Sequence, residues 1–513
     1  MKKIILFAIS VFIFAFAKPQ ASVENLILLE NYYQKSIADW NVPGMAVAIV
    51  SADSILFARG FGVCDVEKPA KVDENTLFAV ASNTKAFTST VLAILVDEGK
   101  LRWDDKVQQH LTWFRLYDPY VSYNITIKDL LSHRSGLKTF SGDLIWYGSN
   151  YSREEVIRKA AFLKPSYGFR ERFGYSNIMY LTAGEIIPQL TNQSWDNFVE
   201  QRLLRPIGMM RSVLHVSDLK EMSNVAQPHT YVDGELIKLP WLAWDNIGPA
   251  GSLISSAKDM GLWLQFNLNL GKAGNQQIVS SQRIRELQQA QTVNDISQTS
   301  SQLFPSTHFK AYGMGWSLMD YLGKKIVSHN GGYDGMISQT VLIPEMNLGF
   351  VILTNSLSSI YYPLMYKTLD VLLGNTDQRD WSAAIHELIE LGDKAAKEER
   401  EKIESQINPQ LPASLPLEAY TGHYSCSIYD SVDVRLVNDQ LYLSMTSTPD
   451  FQGPLTHFRS NTFKVVFPAA PSLPPGFATF TINRSGDVEN LEIFIDNPDF
   501  DFTELKLVKI NQK

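Results

Sequence analysis

The segments of this chain that read as β-strands lie far apart in the sequence, and this separation restricts the folds that the chain can form. Residues 45–50 (MAVAIV) and 54–61 flank a short polar turn, which predicts a pair of neighbouring strands. Strand signals return at residues 325–328, 338–343 and 348–354. The long interval between the two groups alternates predicted helices, such as 195–204 and 257–267, with loops. This pattern indicates one sheet assembled from distant segments, together with a helical subdomain.

A change of pattern divides the chain near residue 374. Residues 381–405 predict a helix that becomes strongly charged, and a proline-punctuated segment ends it. Short alternating strands follow and are predicted at 432–436, 440–444, 463–467, 478–482 and 491–495. We therefore expect an α+β protein whose larger domain, residues 22–374, has an antiparallel sheet flanked by helices plus the helical subdomain. A helical linker over 375–414 and a small all-β, barrel-like domain over 415–513 follow it.

The first residues have the pattern of a targeting segment. Two lysines precede an apolar run over residues 4–17, and small residues suited to cleavage follow at Ala17 and Ala21. The run is shorter than the roughly 20 residues that span a membrane. We expect a signal peptide over residues 1–21 and an exported protein, periplasmic or secreted, with no stable membrane span in its mature form. An uncleaved N-terminal anchor is the alternative.

Charge and composition argue against several classes of protein. The formal net charge is −8, and no stripe of lysine and arginine interleaved with aromatic residues is present, so nucleic-acid binding is not expected. Nine histidines are scattered without a His-Glu-x-x-His motif or a Cys/His cluster, so we expect neither a metal nor another cofactor. Cys64 and Cys426 fall in different predicted domains, and we expect two unpaired thiols.

The motif with the clearest chemical content is Ser-x-x-Lys over Ser82 to Lys85 (SNTK). On a helix, residues three apart share a face, so the lysine amine can lie against the serine hydroxyl. Lysine can remove the hydroxyl proton if burial lowers its pKa. A long apolar helix is predicted to begin near Ser82, and its N-terminal amides favour developing negative charge.

Three other pairs match the same motif: Ser135 and Lys138, Ser217 and Lys220, and Ser255 and Lys258. Gly136 disfavours a helix at the first pair. The second pair has no long apolar helix behind it. Ser256 opens a predicted helix cap at the third, which is a structural use of serine. Ser82 is therefore the preferred nucleophile.

Two further elements lie downstream. Tyr175 to Asn177 (YSN) offers a phenol, which could carry a proton to a leaving group, and an amide, which could hold a substrate carbonyl. His329 to Gly332 (HNGG) follows the predicted strand that ends at Ser328. Glycine there lets the backbone lie close to a substrate, and the Gly332 amide could help form an oxyanion hole. Each element alone is more typical of a plain turn.

In this order, the three elements resemble the active site of the penicillin-binding-protein and serine β-lactamase superfamily. The resemblance is closest to the branch of class C β-lactamases, D-Ala-D-Ala carboxypeptidases, D-aminopeptidases and related esterases. It includes the segments PGMAVAIV, LLSHRSGL, RPIGM, GPAGSLISSAKDM, YGMGW and SHNGGYDG, and spans about residues 24–374. It implies a β-lactamase/transpeptidase-like fold. The tail, from YTGHY at residue 420 onward, resembles the lipocalin-like domain attached to some peptidases of this family.

The resemblance also implies roles for individual residues. Ser82 would be the nucleophile, Lys85 the general base and Tyr175 the proton shuttle. The backbone amides of Ser82 and Gly332 would form the oxyanion hole. Substrate would be bound by Asn177, His329 and Gly331.

One residue departs from the β-lactamase pattern. His329 stands where the β-lactamases of this branch usually have a lysine that binds the antibiotic's carboxylate, and histidine is only partly charged near neutral pH. If His329 holds a carboxylate, activity on carboxylate-bearing substrates is expected to fall as the pH rises through about 6.5. Efficient β-lactam hydrolysis is therefore not expected.

Together these features predict an exported serine hydrolase that forms an acyl-enzyme on Ser82. It would cleave peptide or amide bonds, as in D-amino-acid peptides, or small esters. A β-lactamase and a penicillin-binding sensor without turnover are the alternatives. A Gly-x-Ser-x-Gly hydrolase is disfavoured because that pentapeptide is absent from the sequence. The expected partner is a small-molecule or short-peptide substrate, and the oligomeric state stays open.

Overall fold

The computed structural model describes residues 21–232, 234–377, 379–405 and 411–510. Residues 1–20 of the expected signal peptide lie outside them. Among the described helices, none combines the length and the apolar character needed to cross a membrane.

An eight-stranded antiparallel sheet joins the two distant groups of strands. Its members in chain order are β1 (Gly44–Ser51), β2 (Ile55–Gly62), β3 (Thr292–Asn294), β4 (Lys310–Tyr312), β5 (Ser317–Tyr321), β6 (Lys324–Tyr333), β7 (Met336–Ile343) and β8 (Leu348–Thr354). They lie in the order β2-β1-β8-β7-β6-β5-β4-β3. Met45 pairs with Thr354 and Ser51 with Leu348, so the N-terminal hairpin is completed by the end of the larger domain.

Strand β1 is apolar throughout because both of its faces are covered. Successive side chains of a strand point to opposite faces. Ala46, Ala48 and Val50 belong to one buried cluster, whereas Met45, Val47 and Ile49 belong to a second. A strand buried on both faces shows a continuous apolar run, and the MAVAIV segment fits this rule.

Helices cover the two faces of the sheet and build the subdomain beside it, and the last helix packs against the C-terminal strands. They are α1 (Val23–Asp39), α2 (Thr84–Asp97), α3 (Val107–His110), α4 (Pro119–Asn124), α5 (Ile127–Leu131), α6 (Asp143–Trp146), α7 (Arg153–Lys159), α8 (Asn177–Gly184), α9 (Ile186–Thr191), α10 (Trp195–Val199), α11 (Arg205–Ile207), α12 (Gly248–Gly251), α13 (Ala257–Leu268), α14 (Ser281–Leu287), α15 (Gln298–Leu303), α16 (Tyr361–Leu373), α17 (Trp381–Ser405) and α18 (Leu417–Tyr420). The predicted helix over 195–204 consists of α10 and a π-helical turn, Glu200–Leu204.

The C-terminal strands close into an eight-stranded barrel. They are β9 (Gly422–Ser425), β10 (Val432–Val437), β11 (Gln440–Met445), β12 (Gln452–Arg459), β13 (Thr462–Val465), β14 (Gly476–Ile482), β15 (Val488–Phe494) and β16 (Leu507–Ile510). Neighbours in the chain pair with one another, and β9 pairs with β16 to complete the barrel. Five of these strands were predicted, and β9, β12 and β16 were missed.

The barrel packs against the helical subdomain through polar and apolar contacts. Glu504 accepts a hydrogen bond from the backbone N–H of Gly142 at 2.8 Å, and Lys138 pairs with Asp501. The ring centroid of Tyr147 lies 4.4 Å from that of Phe500 of the barrel. Buried apolar residues of both parts form one continuous cluster. The barrel is therefore placed close to the turn before α6, which also borders the candidate site.

Of two further sequence predictions, the structure confirms one and contradicts the other. Cys64 is buried, Cys426 is half-buried, and both are free thiols, as expected. The HNGG segment was expected to follow a strand ending at Ser328, and this is wrong. Strand β6 continues to Tyr333, and His329 pairs with Thr340 of β7. The glycines lie inside a strand because this strand packs directly against the turn that carries Ser82.

Candidate active site

Ser82 lies in a tight turn at the start of a buried helix. The 3-10 turn Ala81–Asn83 leads directly into α2. Ala81 has a φ of +46°, a left-handed conformation that costs energy for a residue with a side chain and is commonly found at functional sites. The Asn83 amide donates to Ser338 Oγ at 2.8 Å, and Ser338 Oγ donates to the Val80 carbonyl at 2.7 Å. These bonds fasten the turn to β7.

The Lys85 side chain is completely buried one turn beyond Ser82. Its Nζ atom lies 3.0 Å from Ser82 Oγ, 2.7 Å from Asn177 Oδ1 and 2.8 Å from the Ala250 carbonyl oxygen. A neutral amine has two N–H bonds and one lone pair. In the neutral form, the two carbonyl-type oxygens can accept the two N–H bonds, which leaves the lone pair for the Ser82 hydroxyl proton. Burial lowers the pKa of Lys85 well below its usual value, although the Asp143 carboxylate opposes the shift.

Tyr175 covers this pair from the other side. Lys85 Nζ lies 4.7 Å from the centroid of the Tyr175 ring. Burial raises the pKa of the Tyr175 phenol well above 10. A hydrogen bond with Ser82 lowers the pKa, but its effect is smaller than that of burial. The phenol therefore keeps its proton near neutral pH, which suits a proton carrier better than a base. The buried His133 ring supports the loop that carries Tyr175. Its centroid lies 4.3 Å from that of the Tyr175 ring, and its Nδ1 atom accepts a hydrogen bond from the Ser176 N–H at 3.0 Å.

Asp143 on α6 is a site residue that sequence reasoning missed. Its side chain is buried, its Oδ2 accepts from Asn177 Nδ2 at 2.7 Å, and its Oδ1 accepts from Trp146 Nε1 at 2.8 Å. These bonds orient the Asn177 amide so that its oxygen faces Lys85. Burial raises the pKa of Asp143 to about 7. Asn177 was expected to bind a substrate amide, and here it bridges Lys85 and Asp143.

Gly331 and Gly332 bring β6 close to the turn that carries Ser82. A Cβ atom on Gly331 would lie 2.2 Å from the Val80 carbonyl oxygen and 3.0 Å from the Ser82 nitrogen. No side chain fits into that space, so glycine is required for this approach. Gly332 is exposed and borders the same cavity as Ser82.

His329 lies beside these glycines, but its imidazole is shielded from solvent. The side chain is 2% exposed, its Nε2 lies 2.9 Å from the Tyr312 hydroxyl, and its Nδ1 lies 2.6 Å from the Asn330 carbonyl oxygen. The carbonyl can only accept, so Nδ1 carries the hydrogen and Nε2 accepts from Tyr312. Burial is the main cause that lowers the pKa of His329 to about 3. The expected titration near pH 6.5 is therefore wrong, because the ring stays neutral throughout the physiological range.

Two of the other Ser-x-x-Lys pairs have partners of a different kind. Lys138 pairs with Asp501 of the barrel, and the Ser255 hydroxyl bonds that of Ser212 at 2.8 Å. Ser256 caps α13 by accepting the Asp259 N–H, as predicted. The described residues contain no group of three or more histidine, cysteine, aspartate or glutamate side chains placed to hold a metal ion.

A cavity of about 490 Å³ opens above Ser82. Its lining close to Ser82 includes Tyr175, Asn177, His329 and Gly332. The structure thus brings the residues predicted from the three motifs to one place.

Comparisons with known proteins agree with this arrangement. A family model described as Beta-lactamase matches residues 29–368, and one described as a domain of unknown function (DUF3471) matches residues 407–509. The chain is similar to unguisins hydrolase ungD' of Aspergillus campestris, with 30% identity over 414 residues that cover 76% of this chain and 74% of the relative. It is also similar to protein flp of Staphylococcus aureus, with 28% identity over 351 residues that cover 68% of this chain and 66% of the relative.

Among solved structures, the octameric penicillin-binding protein homologue from Pyrococcus abyssi matches with a TM-score of 0.58. The match covers 94% of this chain and 100% of that one at 23% identity. At this level of identity, the likeness concerns the fold alone. The fold expected from the sequence, a sheet-and-helix domain followed by a barrel, is confirmed.

Proposed function

This chain belongs to the β-lactamase and penicillin-binding-protein family of serine hydrolases, and we propose on that basis that it is an exported hydrolase of D-amino-acid peptides or small esters, acting through an acyl-enzyme on Ser82. The observation that carries the proposal is the environment of Lys85. Its amine contacts Ser82 Oγ at 3.0 Å, and both of its other contacts are acceptors. Burial favours the neutral form of Lys85, and in that form the two acceptors can take its N–H bonds and leave the lone pair facing the hydroxyl.

In the proposed reaction, Lys85 Nζ takes the proton of the Ser82 hydroxyl as Oγ attacks the substrate carbonyl carbon. The backbone N–H groups of Ser82 and Gly332 hold the resulting oxyanion. The proton passes through the Tyr175 hydroxyl to the leaving amine or alcohol, which departs and leaves an acyl ester on Ser82. Water, deprotonated by the same groups, then hydrolyses the ester and restores the hydroxyl.

The preference for peptides or esters over β-lactams is supported by His329. A neutral, buried imidazole that already bonds Tyr312 offers no positive charge to a substrate carboxylate. One relative that is 30% identical is named a hydrolase, which agrees with turnover rather than sensing.

A substrate panel tests this proposal. The purified protein is assayed with a D-amino-acid amide, a short p-nitrophenyl ester and nitrocefin, beside Ser82→Ala as the matched control. We expect hydrolysis of the amide or the ester, much slower turnover of nitrocefin, and loss of both activities in Ser82→Ala. Rapid nitrocefin hydrolysis would make a β-lactamase the better description, and covalent labelling by penicillin without any turnover would make the protein a sensor.

Export is tested separately. Residues 4–17 are the apolar part of the expected signal peptide. We expect a protein isolated from outside the cytoplasm to begin after Ala17 or Ala21, as measured by intact mass. A protein that retains Met1 and stays in the cytoplasm would contradict the proposal.

A further inference from the structure

The barrel supplies one wall of the cavity above Ser82. Leu473, Asn497, Asp499 and Phe500 of the barrel line the same space as the nucleophile. The barrel therefore helps to enclose the cavity, and its residues face any substrate that fills this side of it.

Carboxylates and aromatic rings make up much of this end of the cavity. Asp334, in the turn between β6 and β7, and Asp499 both line it, whereas no lysine or arginine is found among its described lining residues. Asp334 Oδ1 accepts from the Tyr147 hydroxyl at 2.8 Å. Asp334 Oδ2 is buried and has no hydrogen-bond partner among the described residues. A buried carboxylate oxygen left without a donor is costly, and a ligand N–H group would satisfy it.

The two carboxylates also repel one another. Burial raises the pKa of Asp334 to about 6, and the charge of Asp499 adds to that shift. Asp499 lines the cavity and is exposed to solvent, although burial of its carboxyl by the packing around it raises its pKa. A bound cation would relieve this repulsion, whereas a bound carboxylate would increase it.

Aromatic rings beside Asp334 suit the same kind of ligand. Trp244 and Tyr333 line the cavity with their ring centroids 4.8 Å apart, and Tyr147 and Phe500 are 4.4 Å apart. Ring faces attract ammonium groups and pack against the methylene groups that carry them.

We propose that Asp334 and Asp499 form a subsite for a primary ammonium group of the substrate, so that this hydrolase selects cationic peptides or esters over anionic ones. The inference rests on the proposed function, since it assigns a substrate class to the same site. Asp143 lines the cavity as well, but both of its oxygens are already engaged with Trp146 and Asn177. The subsite is therefore assigned to the other two carboxylates.

Binding to the Ser82→Ala protein tests the subsite without requiring turnover. The ligands are 4-phenylbutylammonium, 4-phenylbutanol and 4-phenylbutyrate, which share a skeleton and differ in charge, and calorimetry measures their dissociation constants. We expect the ammonium to bind about 10- to 100-fold more tightly than the alcohol, as one charge-assisted hydrogen bond provides. The carboxylate should bind more weakly than the alcohol. Equal affinities for the three, or no measurable binding of the ammonium, would overturn the subsite.

Variants of the two aspartates show whether the preference for the ammonium ligand arises at this subsite. Asp334→Asn keeps an oxygen for the Tyr147 hydroxyl while removing the charge, and Asp499→Asn removes the outer charge. Each should reduce the advantage of the ammonium over the alcohol. Asp496→Asn, an exposed residue of the same barrel segment that does not line the cavity, is the matched control and should keep it. An advantage that survives in the double variant Asp334→Asn/Asp499→Asn would contradict the assignment.

Two substrate pairs distinguish the source of the ammonium. D-alanine p-nitroanilide is compared with its N-acetyl derivative, and N-acetyl-D-lysine p-nitroanilide with the N-acetyl-D-norleucine compound. If the free amine has the higher kcat/KM in the first pair alone, the subsite binds a peptide N-terminus. If the lysine compound has the higher kcat/KM in the second pair alone, the subsite binds a side-chain amine. A preference in neither pair contradicts the subsite, whereas hydrolysis that persists in Ser82→Ala contradicts the proposed function instead.

Discussion

Asp143→Asn is expected to slow the enzyme and to shift its pH profile in a defined direction. The Asp143 carboxylate accepts one hydrogen bond from Trp146 Nε1 and one from Asn177 Nδ2. An asparagine amide offers one oxygen and one NH₂ group, so one of these two donors must then face another donor. If the Asn177 amide turns to compensate, its NH₂ group faces Lys85 in place of the oxygen that now accepts from it.

The size of the effect follows from that loss. A buried donor left without an acceptor costs about 1–3 kcal/mol, and each 1.4 kcal/mol is tenfold in rate. If this cost applies to the arrangement that reacts, we expect kcat/KM to fall roughly 5- to 150-fold.

The charge of Asp143 has a separate effect on the pH profile, because it raises the pKa of Lys85. Without Asp143 that pKa falls further. A base is active above its pKa, so the acid limb of the profile should move to lower pH.

The assay is the kcat/KM of a p-nitrophenyl ester from acidic to alkaline pH for the wild type and Asp143→Asn. Trp146→Phe is the comparison variant, since it removes the indole N–H together with part of the ring and leaves the contact between Asp143 and Asn177. We expect this variant to keep the position of the acid limb. Thermal unfolding shows whether each variant is folded. If Asp143→Asn has the rate and the profile of the wild type, the proposed arrangement around Lys85 is wrong.

Lys85→Arg should be nearly inactive in the same ester assay, because a guanidinium is not deprotonated in proteins; substantial activity would exclude Lys85 as the base. Tyr175→Phe removes only the hydroxyl, so kcat should fall with little change in the unfolding temperature, and an unchanged kcat would exclude the proton shuttle. Gly331→Ala would place a Cβ 2.2 Å from the Val80 carbonyl oxygen, so thermal stability and labelling of the nucleophile should both fall. Gly332→Ala, which meets its nearest atom at 3.8 Å, should keep the stability, and equal stability of the two variants would contradict this reading.

The fold was predictable where local pattern and tertiary environment agree. Strand β1 is buried on both faces, so its sequence is a continuous apolar run that predicts a strand without knowledge of its partners. The missed barrel strands lack such a signal. Strand β9 (GHYS) and β16 (LVKI) are only four residues long, and β12 contains Pro454. Strands β9 and β16 pair with each other across almost the whole length of the barrel domain, and no local pattern records that pairing.

The HNGG segment shows the limit of turn signals. Glycine and asparagine favour turns in isolation, but here the residue opposite Gly331 is Ser338, whose hydroxyl also fastens the Ser82 turn. The close approach requires glycine, and the strand continues through it. The buried state of His329 likewise depends on Tyr312, a residue of another strand, so its neutral form was not predictable from residue type.

The structure places Ser82, Lys85, Tyr175 and Asn177 together. Their proximity could be predicted because motifs with a fixed spacing and order carry information about a site. Their catalytic roles stay predictions. Lone carboxylates carry no spacing pattern, and the sequence does not distinguish Asp143, Asp334 or Asp499 from other aspartates. Their importance arises when α6, the turn after β6 and the barrel meet at one cavity.

The central claim is that Ser82 becomes acylated with the help of a neutral Lys85. The most direct measurement is the mass of the protein after reaction with a fluorophosphonate, followed by mapping of the modified peptide. The account predicts a single adduct on the peptide that contains Ser82, no adduct in Ser82→Ala, and much slower labelling of Lys85→Arg. An adduct on another serine such as Ser135, or undiminished labelling of Ser82→Ala, would contradict it.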